Sequence, residues 1–337
     1  MKYLNALFGL LTVIILLGCE PELILGKDEG NTDPWVNLDY LWNEVNDRYS
    51  YFELKGIDWE AQKAKYESFL FEEISDDSLF KVLGAMLTEL NDAHSNLSSD
   101  FNISFFDIDK LGQDNYNWRT IKDNYLPDDF YISGPFVHDF VANGQIGYIR
   151  FPSYSGAISI RNLDFALQKY KETKGLILDL RENGGGAVTD VFELLSRFID
   201  KKTLVYYSRL KTGPGEEDFS DPEPAYVSPN EGTTYLKKVI VLIDRGTYSA
   251  GSFTSLAIKA IPNMLLMGDT TGGGLGLPNG GQLPNGWTYR FSVTQALTLD
   301  MDESFENGVP PDVVALFDWS DLTKDEVLDR AIAEILE

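Results

Sequence analysis

The stretch GTYSAGSF, Gly246 to Phe253, holds a serine among small residues between an apolar run and a predicted helix. VIVLID before it has the composition of a buried strand, and SLAIKAI after it has that of a helix. A strand-to-helix turn exposes a side chain beside backbone N–H groups that lack helical partners. Acyl transfer needs both, so Ser249 is a candidate nucleophile and the N–H of Ala250 a candidate oxyanion donor. The alternative is a helix-capping serine, a role that Thr247 or Ser252 could also fill.

A serine hydroxyl needs a base within hydrogen-bond reach, and histidine is the side chain best suited to that role. The chain contains two histidines, His94 and His138. His94 lies in TELNDAHSNL, after an amphipathic helical pattern. Any Ser–His chemistry must use one of the two. The alternative for either residue is a structural or exposed histidine.

Three glycines, Gly184 to Gly186, follow the buried-strand pattern GLILDL. Glycine permits positive φ angles and close backbone approach, so the N–H groups of this turn can point at an anionic oxygen. Taken alone, such a turn is more often a tight connection without a ligand. The glycines therefore support an acyl-transfer site only in combination with the serine and a histidine.

Composition and charge limit the partners of this chain. Its 337 residues, 43% of them hydrophobic, are enough for a substantial core. The formal charge of −25, from 28 basic and 53 acidic residues, argues against a phosphate-binding surface and against nucleic acid as a partner. Metal-ligating residues show no zinc-like spacing, so we expect neither a metal nor a cofactor.

The first residues, MKYLNALFGLLTVIILLGCE, resemble a bacterial lipoprotein signal. The resemblance implies a signal peptide over residues 1–18, cleavage before Cys19 and lipidation of its thiol. An acidic, flexible tether over residues 19–33 would follow. The protein would then be exported and anchored to the outer membrane, on its periplasmic or surface face. The alternatives are an uncleaved anchor and a buried cysteine.

Helical patterns fill residues 34–97. They cover Val36 to Tyr49, Trp59 to Leu70, and a segment after the possible N-cap Ser75 in which apolar residues recur at helix spacing. The recurring residues are Leu79, Leu83, Met86 and Leu90. The pattern predicts a three-helix bundle as an N-terminal domain.

Residues 98–337 alternate strand and helix patterns. The predicted strands are QIGYIRF, GLILDL, TLVYYSRL, VIVLID, MLLMGD and two hairpin strands that include TYRFSVTQAL. The predicted helices cover Ile158 to Lys171, Val188 to Ile199 and Ser252 to Ala260. Such alternation predicts an α/β core with largely buried strands. We expect the irregular region Ser98 to Phe140 and a mobile loop, Lys211 to Tyr235, to line the cleft.

In combination, these motifs resemble the tail-specific, or C-terminal processing, protease family of serine peptidases. LILDLRENGGG is similar to the family's strand-and-glycine motif, and VLIDRGTYSAGSF is similar to its nucleophile segment. The later segments of the family are similar to GDTTGGG, the LPNG repeats and ENGVPPDVV. The resemblance covers residue 34 to the C-terminus and implies a crotonase/ClpP-like ββα spiral core. Relatives carry a PDZ module before the core, but roughly fifty residues between His94 and QIGYIRF are too few for one, so we expect no PDZ domain.

Within this family, members with a Ser–Lys dyad carry a lysine where this chain has Gly274. The sequence is instead similar to the branch that contains the tricorn protease core and the interphotoreceptor retinoid-binding modules, whose base is a histidine. That likeness implies Ser249 as the nucleophile and His94 as the base.

The same resemblance implies the groups around this pair. The implied oxyanion hole consists of Ala250, Gly186 and Gly185. Glu306, ahead of the GVPPD segment, would complete a relay to the base, with Glu303 and Asp92 as alternative acids. The chain departs from the tricorn pattern at Ala93, where a serine would link the histidine to the glutamate.

The implied function is hydrolysis of peptide bonds in exported polypeptides through a Ser–His acyl-enzyme mechanism. A non-catalytic ligand- or peptide-binding lipoprotein on the same fold is the first alternative, because the retinoid-binding relatives carry ligands on this scaffold. A crotonase-like acyl-CoA enzyme is the second alternative, which the acidic charge disfavours. A hydrogen bond between Ser249 and His94 would discriminate in favour of the peptidase. The sequence leaves the oligomeric state open.

Overall fold

The computed structural model describes residues 30–106, 114–156 and 158–337. The predicted signal peptide, the lipidation site Cys19 and most of the predicted tether lie outside these ranges. None of the helices within the ranges is both long and apolar enough to cross a membrane.

The described chain alternates helices and strands. The helices are α1 (Pro34–Arg48), α2 (Trp59–Glu67), α3 (Asp76–Thr88), α4 (Trp118–Tyr125), α5 (Ile160–Lys169), α6 (Thr189–Leu195), α7 (Ala250–Ile258) and α8 (Glu326–Leu336). The strands are β1 (Asn96–Ser98), β2 (Tyr131–Ser133), β3 (Phe136–Val141), β4 (Ile146–Arg150), β5 (Gly175–Asp179), β6 (Thr203–Leu210), β7 (Glu223–Val227), β8 (Val239–Ile243), β9 (Met264–Gly268), β10 (Pro278–Gln282), β11 (Thr288–Ser292), β12 (Thr294–Leu297) and β13 (Val313–Val314).

The N-terminal helices α1, α2 and α3 begin where the sequence offers a capping side chain. Asp33, Asp58 and Ser75 accept hydrogen bonds from N–H groups in the first turns of these helices. The N-cap role predicted for Ser75 is therefore confirmed. Leu83 and Met86 are fully buried and pack with apolar residues of the other two helices. The predicted helix spacing thus corresponds to the face that the three helices share.

The helices also pack against a small antiparallel sheet with the strand order β1-β11-β10. Tyr289 and Phe291 of β11 are buried in the same apolar cluster as the helices. The hydroxyl of Tyr289 donates a hydrogen bond of 2.8 Å to Glu44 in α1. A shared apolar core therefore joins the helical region to the rest of the chain.

A seven-stranded sheet with the order β13-β9-β8-β5-β4-β3-β2 forms the centre of the chain. Strands β4, β5, β8, β9 and β13 are parallel, and β3 and β2 are antiparallel to their neighbours. Every residue of β4, β5 and β8 is buried, because helices cover both faces. Leu176 and Leu178 of β5 face the core with α5, α6 and α7, whereas Ile177 faces the core with α8. The predicted α/β class is confirmed.

Two segments differ from the sequence-based expectation. TYRFSVTQAL is not a single strand, since β11 pairs with β1 and β10, while β12 pairs with β6 in a separate sheet. The break falls at Val293. The stretch from Lys211 to Tyr235 is not a simple loop, because it contains β7, which pairs with β6. β12 pairs with a strand that lies far away in sequence, about which a local pattern carries no information, whereas the Pro, Gly and Glu residues around β7 give its segment the composition of a loop.

Candidate active site

Ser249 lies on the turn between β8 and α7. Its backbone has φ 53° and ψ −120°, a combination that residues with a Cβ atom rarely adopt. Asp244 Oδ1 accepts a hydrogen bond from Thr247 N–H (3.1 Å), and Thr247 Oγ1 donates to the Leu180 carbonyl (2.8 Å), which ties the turn to the end of β5. The Ser249 side chain makes no capping hydrogen bond to α7. The turn leaves its hydroxyl on a cleft wall, which is the geometry of a nucleophile elbow.

His94 reaches Ser249 from the N-terminal region. Its Nε2 lies 2.9 Å from Ser249 Oγ, although 155 positions separate the two residues in sequence. The other histidine, His138, lies in β3, where its ring nitrogens are 2.7 Å from the Tyr170 hydroxyl and 2.8 Å from Ser133 Oγ. The structure therefore brings His94, and not His138, to the candidate nucleophile.

The surroundings of His94 favour its neutral form. The residue is 7% exposed, and this burial lowers the pKa of the imidazole below its usual range. The Asp92 carboxylate opposes that effect by raising the pKa, whereas the Arg290 cation lowers the pKa further. A neutral imidazole can accept the serine proton, so the geometry and the protonation state agree.

Asp92 is the carboxylate beside this histidine. Its Oδ1 accepts hydrogen bonds from the His94 backbone N–H (2.8 Å) and from the Tyr248 hydroxyl (3.3 Å). Asp92 Oδ2 and His94 Nδ1 are both buried, and neither makes a hydrogen bond of regular geometry in the described part of the chain. The Ser292 side chain lies close enough to Asp92, and the Gly276 backbone close enough to His94, to favour the charged form of each. Burial raises the pKa of Asp92, but the Lys55 cation, together with hydrogen bonds from the Ser292 side chain and the His94 backbone N–H, outweighs burial and holds that pKa below its usual range. An ionised carboxylate near the ring can stabilise an imidazolium.

Glu306, the acid that the family resemblance implies, makes other contacts. Its Oε2 accepts hydrogen bonds from the N–H groups of residues 275 and 276 (2.6 and 3.1 Å), and its Oε1 lies 3.3 Å from Lys55 Nζ. Burial raises the pKa of Glu306 to about 7, while the Lys55 cation opposes the rise. Within the described residues, Glu306 forms no hydrogen bond with His94. Glu303 lines a separate cavity, away from the cleft.

The glycine turn after β5 lies against the serine turn. A Cβ atom on Gly185 would come within 2.7 Å of Ser249 Cβ and 2.9 Å of Ala250 N. The Gly185 N–H itself donates to Asn183 Oδ1 at 3.0 Å, so it is not available as an oxyanion donor. The N–H groups of Gly186 and Ala250 have no acceptor among the described residues. Of the three donors implied by the resemblance, these two are available to a reacting oxygen.

The serine, the histidine and the glycine turn surround a cleft of about 520 Å³. The cleft is lined by Ala93, His94, Ser153, Ser155, Gly184, Gly185, Gly186, Val188, Tyr248, Ser249, Leu277, Pro278 and Arg290. No described residue of the segments 98–140 and 211–235 is among them, so for the described residues the expectation that those segments line the cleft is wrong. The sequence analysis did not identify Ser153, Ser155 or Arg290, because none of them lies in a recognisable motif. Across the described ranges, no group of three or more His, Cys, Asp or Glu could hold a metal ion.

Two family models match the chain. Residues 145–315 match the model described as Peptidase family S41, and residues 32–88 match the Tricorn protease C1 domain. The first match contains the serine turn and the glycine turn, and the second covers the helices that precede His94.

Individual relatives agree with these matches. The carboxy-terminal processing protease CtpA of Bacillus subtilis (strain 168) is 29% identical over 181 residues, which are 53% of this chain and 37% of the relative. This chain thus spans well under half the length of that relative. A solved structure of a candidate peptidase from Parabacteroides merdae ATCC 43184 is 35% identical with a TM-score of 0.85, and the match covers 91% of this chain and 98% of that one. Mature CPAF shares the fold, with a TM-score of 0.66 at 14% identity over 90% of this chain and 96% of its own.

Proposed function

Because the chain belongs to peptidase family S41, we propose that it is a serine peptidase whose base is His94 rather than a lysine. The observation that carries this proposal is the 2.9 Å contact between His94 Nε2 and Ser249 Oγ. No lysine is among the described residues that line the cleft, which supports a Ser–His pair. The proposed substrates are peptide bonds in exported polypeptides.

In the proposed mechanism, Ser249 Oγ attacks the substrate carbonyl while His94 Nε2 takes the hydroxyl proton. The N–H groups of Gly186 and Ala250 stabilise the negative charge that develops on the carbonyl oxygen. The leaving amine takes the proton from His94, and water then hydrolyses the acyl-enzyme. Proton transfer contributes about 10²- to 10⁴-fold to such reactions and an oxyanion donor about 10²-fold or more.

We further propose that Asp92 supports the protonated form of His94 during this reaction. The Asp92 side chain fixes the His94 backbone through its Oδ1, and the Asp92 charge raises the pKa of the His94 imidazole. A carboxylate in this position lowers the free energy of the imidazolium that forms after proton transfer. Asp92 would thereby compensate for Ala93, which stands where the tricorn pattern has a serine.

Labelling with a fluorophosphonate probe tests the catalytic pair. The wild-type protein should be labelled, and the Ser249→Ala and His94→Ala variants should lose the label because each removes one member of the pair. Ser68→Ala is the matched control, since Ser68 is an exposed serine outside the cleft. Labelling of Ser249→Ala at the wild-type level would show that another residue reacts and would contradict the proposal.

A non-catalytic binding lipoprotein is the second candidate, and it is favoured by Ala93, which stands where the tricorn pattern has a serine that links the histidine to the glutamate. A histidine that is not held in orientation is a weaker base. If the folded wild-type protein stays unlabelled under conditions that label a control serine hydrolase, this second candidate replaces the first. Mass spectrometry of ligands extracted from the purified protein would then identify what it carries.

We also propose that the protein is an exported lipoprotein anchored through Cys19. The support is the sequence alone, an apolar run that ends in LLGC at residues 16–19. Metabolic labelling with a palmitate analogue should mark the wild-type protein and not the Cys19→Ala variant. Equal labelling of both proteins would contradict a lipid anchor at this position.

A further inference from the structure

We propose that Arg290 selects substrates that present a carboxylate in the cleft. This inference rests on the proposed peptidase function, and it names a substrate feature that the catalytic pair itself does not determine. Arg290 lies in β11 and lines the same cleft as Ser249 and His94. It is the only residue with a permanent charge among the described residues that line the cleft.

The pleat of β11 directs Arg290 toward the cleft. Successive side chains of a strand point to opposite faces. Tyr289 and Phe291 are buried in the helical core, whereas Arg290 between them is exposed. The packing of its two neighbours therefore fixes the face on which the guanidinium lies.

The neighbouring strands hold the guanidinium and leave room beside it. Arg290 pairs with Asn96 in β1 on one side and with Gly280 in β10 on the other. With the Asn96 amide turned so that its oxygen faces Arg290, Oδ1 accepts hydrogen bonds from Nε (2.7 Å) and Nη2 (3.2 Å). Gly280 has no side chain to cover the other side. The remaining guanidinium N–H groups form no salt bridge with any described carboxylate.

The charge of the cleft differs from that of the whole protein. The chain has a formal charge of −25, which would repel an acidic peptide from most of its surface. The other lining groups are glycine, apolar, hydroxyl or aromatic residues and His94, whose neutral form is favoured. A substrate carboxylate would thus meet one cation and no lining carboxylate. Arginine binds a carboxylate through two parallel hydrogen bonds, so the preference should be specific to this group.

The carboxylate has two sources in a peptide, an Asp or Glu side chain and the free C-terminus. Binding of fluorescent peptides to the Ser249→Ala variant, measured by anisotropy at physiological ionic strength, separates these sources. The four peptides are neutral with an amidated C-terminus, neutral with a free C-terminus, amidated with one Glu, and amidated with one Lys. We expect at least one of the two carboxylate-bearing peptides to bind roughly tenfold more tightly than the neutral amidated peptide.

Variants made on the Ser249→Ala background assign this preference to the guanidinium. Arg290→Gln should abolish the preference, and Arg290→Lys should retain part of it because the charge remains while the paired hydrogen bonds are lost. Arg119→Gln is the matched control, since Arg119 is an exposed arginine of α4 outside the cleft and its loss changes the net charge equally. The control should keep the preference.

The inference would be overturned by equal affinity for all four peptides, by no detectable binding of any of them, or by a preference that persists in Arg290→Gln. Loss of the preference in Arg119→Gln would also overturn it, because the effect would then come from overall charge. The outcome is separate from that of the proposed function. Probe labelling of Ser249 without a carboxylate preference would contradict only the role of Arg290. A preference without labelling would contradict only the catalytic proposal.

Discussion

At the scale of single residues, two buried carboxylates compete for the role of supporting His94. Asp92 contacts the His94 backbone and its charge raises the histidine pKa. Glu306 is occupied by two backbone N–H groups and by Lys55. The influence of its charge on the His94 pKa therefore favours Asp92, although the family resemblance implies Glu306.

The lowered pKa of His94 determines the expected pH profile. In the free enzyme, kcat/KM should rise as His94 loses its proton, and the rise should be half complete below pH 6.5, the ordinary value for histidine. Steady-state cleavage of a fluorogenic peptide between pH 4 and 9 measures this limb of the profile. A midpoint above the ordinary value would contradict the dominance of burial over the Asp92 charge.

Substitution of each carboxylate by its amide separates their roles. Asp92→Asn should lower kcat/KM by about tenfold or more and move the acidic limb to lower pH, because it removes the charge that raises the His94 pKa. Glu306→Gln should have a smaller effect, because the amide oxygen can still accept from the N–H groups of residues 275 and 276. Circular dichroism controls for folding. A larger loss in Glu306→Gln than in Asp92→Asn would assign the supporting role to Glu306.

At the scale of elements, two strand-to-helix turns at neighbouring strand ends form the site. β5 and β8 are adjacent and parallel, so the glycine turn after β5 and the serine turn after β8 emerge at the same sheet edge. The Tyr248 N–H donates to the Asn183 carbonyl at 2.9 Å and links the two turns. The distance between the proposed nucleophile and the proposed oxyanion donors is thus fixed by the sheet.

The glycine turn tolerates a side chain at one position and not at another. Gly186 has φ 138°, and a Cβ atom there would lie 2.2 Å from the Tyr154 carbonyl carbon. Gly186→Ala should therefore lower the free energy of unfolding by about 2 kcal/mol and kcat/KM by about 10²-fold. Urea denaturation and peptide cleavage measure the two effects.

Gly184→Ala is the matched control for the stability effect, because a Cβ atom on Gly184 meets nothing within 4 Å. Its free energy of unfolding should stay equal or rise slightly, since alanine restricts the unfolded chain. Equal destabilisation by both substitutions would show that the close approach of Gly186 to Tyr154 does not matter.

At the scale of the whole molecule, the proposed catalytic pair depends on the packing of the helical region against the core. His94 follows α3, whereas Ser249 follows β8 in the large sheet. Between these parts lies the small β1-β11-β10 sheet, whose Phe291 is fully buried against Tyr49 and Tyr289. Weakening the packing of Phe291 should therefore move His94 away from Ser249.

Truncation of Phe291 tests this dependence. Phe291→Ala should lower the free energy of unfolding by about 3–5 kcal/mol, and probe labelling should disappear at urea concentrations where the far-ultraviolet circular dichroism is still largely native. Phe198→Ala, a similar truncation in the core of the large sheet, should lose labelling and circular dichroism together. Coincident transitions in Phe291→Ala would show that the two regions unfold as one unit.

The sequence by itself determined the features that depend on nearby residues. It predicted the buried strands, the Ser75 cap and the position of Ser249 at a strand-to-helix turn, because periodicity, capping and turn chemistry act over a few positions. The family came from the resemblance of several motifs in their order along the chain. The family resemblance is confirmed by the match of residues 145–315.

Only the tertiary structure decided which distant side chains meet. It brings His94 into contact with Ser249 and Lys55 into contact with Glu306, and it places Arg290 in the cleft. It also assigns the two halves of TYRFSVTQAL to different sheets. These contacts join residues far apart in the chain, and each depends on how whole helices and strands pack. Side-chain contacts of that kind follow from the burial of shared apolar surfaces, which no local pattern records.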